Sequence, residues 1–336
     1  MGAVTETARG ARFGLARLRE HQWTPVERAI LISAIATVMG ALFVTSYSLA
    51  LGDPVPHRID AALIGDARTH GRTVRAMQEV AQGSLDFQPY ASVPAALHAL
   101  DEQNVYAALD LTSASPTLYL ASAAGASVAR VLERTSAADP AVRVVDTHPL
   151  APKDPSGVDI FYLMLVATIV GFISVFQVRA NASGLPLRHW SVFVVGLALA
   201  AALVFVLVDG PILNRLDLPV FESWGILALQ LVAVSSFASI MLVWLGRWAI
   251  LPTWLFFVVL GNSSSGGAVA PPLLPEPFEF LSQWLPSGAT VTALREAVYF
   301  PDYQHARPIV VLAAWALGLF AVMLVESRRL ARSPGA

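Results

Sequence analysis

The chain contains no cysteine. Disulfides, thiolate metal sites and thiol nucleophiles are therefore excluded, and any part outside the cytoplasm must hold together by packing alone. Lysine is almost as scarce, since Lys153 is the one lysine among 22 basic residues. It stands in Pro152-Lys153-Asp154, so no Gly-x-x-x-x-Gly-Lys-Ser/Thr phosphate loop is present and ATP hydrolysis by that route is ruled out. Charge is the third scarcity. Only 14% of the 336 residues are charged, where a soluble domain carries about a quarter. The formal net charge of −2 gives no basic face for nucleic acid. His-Glu-x-x-His and Gly-x-Ser-x-Gly are also missing, so neither a metalloprotease nor an elbow-type esterase is supported, and no enzyme activity is expected in this chain.

Apolar residues take the place of charge. They make up 55% of the sequence, and the mean hydropathy is +0.59. A bilayer core about 30 Å thick needs roughly 20 mostly apolar helical residues. Runs of that kind occur at Ala29–Leu51, Ile160–Val178, Trp190–Val208, Trp224–Gly246 and Pro308–Val325, with a shorter one at Trp248–Leu260. The first run is too long for a signal-peptide core and is expected to remain as an anchor. Six transmembrane helices are thus predicted. Arg9, Arg12, Arg17, Arg19 and Arg28 before the first run, Arg179 and Arg188 between the second and third, Arg247 before the fifth, and Arg328, Arg329 and Arg332 after the last all fall on one side. The excess of positive charge on cytoplasmic loops places both termini inside, and the plasma membrane of a bacterium is the expected location.

The predicted layout is a cytoplasmic segment 1–28, helix 1 at 29–51, an extracytoplasmic domain at 52–157, helices 2–6 within 158–327, and a cytoplasmic tail at 328–336. The 52–157 segment has ordinary soluble composition, with 8 basic and 12 acidic residues. Its periodicity alternates: strands at Arg58–Gly65, Leu85–Tyr90, Val105–Leu111, Thr117–Ala121 and Val142–Asp146, and helices at Arg72–Ala81, Val93–Gln103 and Ala126–Thr135. A small mixed α/β layer domain follows. Its histidines, His57, His70, His98 and His148, lack metal-ligand spacing, so neither metal nor cofactor is expected.

Two segments depart from ordinary loops. Arg9–Trp23 places Phe13, Leu15 and Leu18 among arginines including Arg17, which suits either a basic helix lying on the anionic inner leaflet or a solvated flank. After the short fifth run come Gly261-Asn262 through Gly266-Gly267 and a proline cluster, then Phe278–Pro286 and Ser287–Tyr299, apolar and aromatic but too broken to span. Segment 262–300, with Asn262, Gly266, Gly267, Trp284, Pro286 and Arg295, reads as one or two short re-entrant helices dipping into the outer leaflet, or as an outer loop with interfacial helices. Within the spans, Gln230, Ser235 and Ser239 are the polar residues that could line a path, although such a cluster more often holds helices together.

Tyr106-Ala-Ala-Leu-Asp-Leu111 leading to Pro116-Thr-Leu-Tyr-Leu120, Pro149–Gly157 running into the second span with Gly171, and Leu285–Arg295 ahead of the last span carry a resemblance to the ABC-2 type transporter permease superfamily, in particular its phage-infection-protein (Pip/YhgE-like) branch. The resemblance implies a permease subunit that forms a homodimer, or pairs with a similar chain, and works with an ATP-binding subunit in trans. It would move an amphiphilic or lipid-like substrate outward. It also implies that the ATPase interface includes Phe13, Arg17, Leu18, Arg179 and Arg188, and that the re-entrant helices Phe278–Tyr299 form the outer gate. The alternative is a non-transporting surface platform whose outward domain binds a partner.

Overall fold

The computed structural model describes residues 24–52, 55–137, 139–182 and 184–332. The expected surface helix at Arg9–Trp23, with Phe13, Arg17 and Leu18, lies outside them. The chain divides into two units, Met1–Val44 and Thr45–Ala336, with helix α1 (Pro25–Leu51) running through the division. In the first unit α1 opens on a capping box. The Glu27 amide donates to Thr24 Oγ1 at 3.2 Å, and the Thr24 amide donates to the Glu27 carboxylate at 2.7 Å, so two otherwise orphaned helix-start N–H groups are satisfied.

In the second unit a five-stranded sheet follows: β1 (Ile59–Ile64), α2 (Gly71–Val80), β2 (Leu85–Tyr90), α3 (Val93–Asp101), β3 (Ala107–Asp110), β4 (Thr117–Leu120), α4 (Ala126–Ser136) and β5 (Arg143–Asp146). The order is β2-β1-β3-β4-β5. β1 runs parallel to β2 and β3, β4 is antiparallel to β3, and β5 is parallel to β4. Each strand and helix expected from periodicity is present, within a few residues at its ends. The two-residue pleat explains the layering. Ile59, Ala61, Leu109, Leu118 and Leu120 face a core shared with Met77 of α2 and Val128 and Leu132 of α4, while Ala62, Ile64 and Ala108 face Ala96 and Leu100 of α3. Pro89 sits in the edge strand β2, where a missing N–H costs no ladder bond.

Five helices are long and apolar enough to cross a membrane: Pro25–Leu51, Asp159–Asn181, His189–Ile212, Val220–Asn262 and Ala306–Arg329. They make this a multi-pass membrane protein by their number and length. Five are found where six were expected, because the expected fifth run, Trp248–Leu260, follows the helix before it without an intervening loop and is counted with it. We label these α5 (Asp159–Asn181), α6 (Leu187–Leu207), α7 (Val220–Leu245), α8 (Ile250–Trp254) and α11 (Ala306–Arg332), with α9 (Glu276–Ser282) and α10 (Pro286–Tyr299) before the last. After α6 the helix widens into a π-type turn at Val208–Ile212. Pro211 inside it has no N–H to give.

The run Val220–Asn262 is not straight. Phe237 stacks on Phe256 at 5.1 Å and meets Phe257 edge-on at 5.5 Å. Nineteen residues along a straight helix would separate the first pair by about 28 Å, so the chain folds back between them. The reversal falls at Gly246, whose φ of +55° ends α7, a conformation that costs a residue with a Cβ but not glycine. The returning limb is a tight turn at Gly246–Ala249, α8, and a π-type stretch at Leu255–Asn262.

α7 is the central helix, packed against α5, α6, α10 and α11. The main bundle core joins Met164 and Ala167 of α5, Ala202 and Val206 of α6, Leu227 and Leu231 of α7, Val291 and Leu294 of α10, and Leu312 of α11. α10 is buried on nearly every side. The bidentate Arg215–Asp159 pair ties the loop after α6 to the start of α5, with its second hydrogen bond at 2.9 Å.

Because the chain is free of cysteine, the hairpin can be tested by adding two. Phe237→Cys with Phe256→Cys should be joined within one chain by a short bifunctional thiol reagent, read as an intramolecular cross-link by peptide mass spectrometry. A straight 43-residue helix would give none.

Candidate functional site

Three helices meet on one side chain. Gln230, fully buried in α7, donates through Nε2 to Thr168 Oγ1 of α5 at 3.0 Å and accepts through Oε1 from Thr290 Oγ1 of α10 at 3.0 Å. An amide carries its donor and its acceptor on separate atoms, so this one residue ties hydroxyls on two different neighbouring helices. One turn further along, Ser235 Oγ donates to the Gly171 carbonyl at 3.1 Å. The contact is possible because α5 presents glycine there: a Cβ at 171 would stand 3.0 Å from Val234. Ser239 donates to the Ser235 carbonyl and accepts from Trp190 Nε1 of α6 at 3.0 Å. The three residues read as possible path residues therefore hold the helices to one another.

The 262–300 segment is two helices, α9 and α10, after an irregular stretch. Asn262, 1% exposed, lies beside the Tyr47 hydroxyl. Ser46 donates to the Val259 carbonyl at 2.6 Å and is 2.9 Å from Ser263 Oγ. Gly266 takes φ of +72°, and Gly267 lies so close to Phe161 that a Cβ would come within 2.8 Å. Pro286 opens α10 at its first turn, where its missing N–H has no helical partner in any case. Trp284 is half-exposed, under the Arg307 guanidinium.

Arg295 reaches out of α10 to the Gly266 carbonyl at 2.8 Å, and among the described residues no carboxylate oxygen lies within 4 Å of it. Tyr106, between the sheet and this arginine, has its phenol pushed up to about 12 by burial, the Arg295 charge opposing. Around them the sheet domain is sewn to the segments before and after α10. The Ala270 amide donates to Ser127 Oγ at 2.8 Å, the His57 amide to the Pro272 carbonyl at 3.1 Å, and the Ala151 amide to the Tyr299 hydroxyl at 3.3 Å. His148 stacks on Phe300 at 4.7 Å and His98 meets Tyr303 edge-on at 5.7 Å. Glu296, buried in α10, accepts both the His305 amide and its Nδ1, at 2.9 and 3.0 Å. Chemically, Arg295 is a shielded cation with a carbonyl for its partner, suited to hold a backbone or to meet an anionic group.

No known protein family, curated protein or solved structure matches the chain. Its function is read from its own residues.

Arg179 lies on the exposed last turn of α5 and lines a cavity of about 500 Å³ together with Leu185, Trp190, Ser239, Glu326 and Ser327. Two residues singled out for different reasons, Arg179 and Ser239, are thus brought to one cavity. Arg188 falls in the first turn of α6. Thr168, Thr290 and Tyr106 were not picked out as site residues. Thr168 and Gln230 stand out as polar residues in apolar runs, but nothing in sequence pairs them with Thr290.

The sign of one pH effect follows from Tyr106. Its folded-state pKa lies above the ordinary 10.0, so its contribution to stability is complete below pH 10 and is lost as pH rises toward 12. Thermal unfolding across that interval should show a loss of roughly 2–3 kcal/mol in wild type that Tyr106→Phe lacks. Equal alkaline loss in both would mean that Tyr106 is solvated.

Proposed function

We propose that this chain is the membrane permease subunit of an ABC-2 type exporter, moving an amphiphilic or lipid-like substrate outward and driven by a separate ATP-binding subunit. The observation that carries the reading is the coupling of the sheet domain to α10 through Arg295, Tyr299 and the Val269–Leu274 stretch. A domain joined to the buried helix α10 can pass a movement of that helix to the outside, or respond to one. The fold-back at Gly246 supports six crossings with both termini inside, which leaves the sheet domain outside and Arg179, Arg188 and Arg247 inside, on the face an ATPase would touch. The sequence has no Gly-x-x-x-x-Gly-Lys-Ser/Thr phosphate loop, which suits a partner in trans. In this reading two copies form the working unit, and α9–α10 is the outer gate.

A second reading has its own observation. Gln230, Ser235 and Ser239 spend their hydrogen bonds between helices, and the spans then serve as scaffold for a surface platform whose outward domain binds a partner.

Extraction from native membranes in mild detergent separates the two. The exporter reading predicts a stoichiometric ATPase that co-purifies with the full chain and is lost when Arg9–Trp23 is removed. Recovery of a lone oligomer without a nucleotide-binding companion would overturn it in favour of the platform.

A further inference from the structure

Between Trp284 and the first half of α11 runs an apolar groove of about 490 Å³, lined by Trp284, Val310, Val311, Trp315, Gly318 and Leu319. The Trp315 indole N–H donates to the Trp284 carbonyl at 2.8 Å, which fixes one wall and leaves that N–H no hydrogen to offer the groove. Gly318 forms part of the lining, and a Cβ there would meet no atom within 4 Å. Packing therefore does not demand glycine at 318, and its effect is to leave room.

Arg307 stands at the head of the groove. Its guanidinium lies 5.0 Å over the Trp284 ring and donates to Gln283 Oε1 at 3.0 Å. Among the described residues no carboxylate oxygen is within 4 Å of it, and the buried Glu296 is already engaged by His305. From Arg307 to Gly318 is eleven residues, about 16 Å along a helix. That is half of a hydrocarbon core about 30 Å thick, the depth of one leaflet.

We propose that this groove seats an anionic phospholipid, with one acyl chain along α11 and the phosphate on Arg307. The charge at the head selects the phosphate, because a guanidinium offers it paired N–H donors. A net-anionic head leaves the attraction of the guanidinium for the phosphate unopposed, whereas a zwitterionic head brings a cation of its own beside Arg307. The apolar lining and one-leaflet length select the chain. The proposal goes beyond the exporter reading: it concerns a resident lipid and requires only that α11 crosses the bilayer.

The test uses the full chain in phosphatidylcholine vesicles that carry a minor fraction of dibrominated phosphatidylglycerol or dibrominated phosphatidylcholine. Bromine quenches nearby tryptophan, and subtracting the quenching of a Trp284→Phe/Trp315→Phe variant isolates the groove. Wild type should be half-quenched at about tenfold less brominated phosphatidylglycerol than phosphatidylcholine. Arg307→Gln should erase the preference while Arg307→Lys keeps part of it, and Gly318→Leu should weaken quenching by both lipids. Equal quenching by the two lipids in wild type, or a preference that survives Arg307→Gln, would overturn the proposal. So would rapid cross-linking between two chains through Val310→Cys in native membranes, which would show a second copy covering the groove.

Discussion

An amide in an apolar bundle is the constraint from which the rest of the membrane half follows. Water is not available there to satisfy Gln230, so the folded state must supply both a donor and an acceptor partner. Thr168 and Thr290 do so from opposite sides. The net stabilisation from each such bond in a membrane is small, on average about 0.6 kcal/mol. The geometric consequence is larger, because the amide meets both threonines only when α5, α7 and α10 stand in one arrangement. Non-directional packing of leucine and valine leaves helices free to slide by a turn, and the amide removes that freedom at the level of Thr290.

Fixing α10 fixes more than a helix. Thr290 lies in its first half, and Arg295, Glu296 and Tyr299 lie in its second. Those three residues reach the Gly266 carbonyl, the start of α11 through His305, and the Ala151 amide of the chain leaving the sheet domain. The stretch from Val269 to Leu274 enters the core of the sheet domain itself. The sheet domain, the irregular stretch and α10 are therefore joined by contacts of a protein interior rather than by a tether. Such an arrangement can carry a displacement between the sheet domain and the bundle, which both a gate and a rigid platform can use.

Much of this was legible in the sequence, and the unread part has a common cause. The sheet domain could be outlined because pleat and helix impose periods of two and 3.6 on chains that bury one face. Ile59–Ile64 and Gly71–Val80 alternate accordingly, and their boundaries fell within two residues. The long apolar helices announced themselves by length. The sequence reading divided Val220–Asn262 into two runs at Gly246, and the ring contacts between Phe237 and Phe256 put a fold-back there. What periodicity could not supply was partnership across distance. Thr168, Gln230 and Thr290 are about sixty residues apart in each step, and a polar residue in an apolar run does not say whether it faces a path or another helix. The same limit applied to Arg179 and Ser239, named for unrelated reasons and found on one cavity.

The most direct measurement is hydrogen exchange of the intact protein in detergent, comparing wild type with Gln230→Leu, which keeps the volume and removes both bonds. If the amide holds α10 in place, exchange should quicken in α10 and in the segments that hang from it, Val269–Leu274 and Phe300–Tyr303, while α6, which makes no bond to Gln230, stays near its wild-type rate. Unchanged exchange in α10, or equal loosening of every helix, would show that apolar packing alone sets the arrangement and that Gln230 does not govern it.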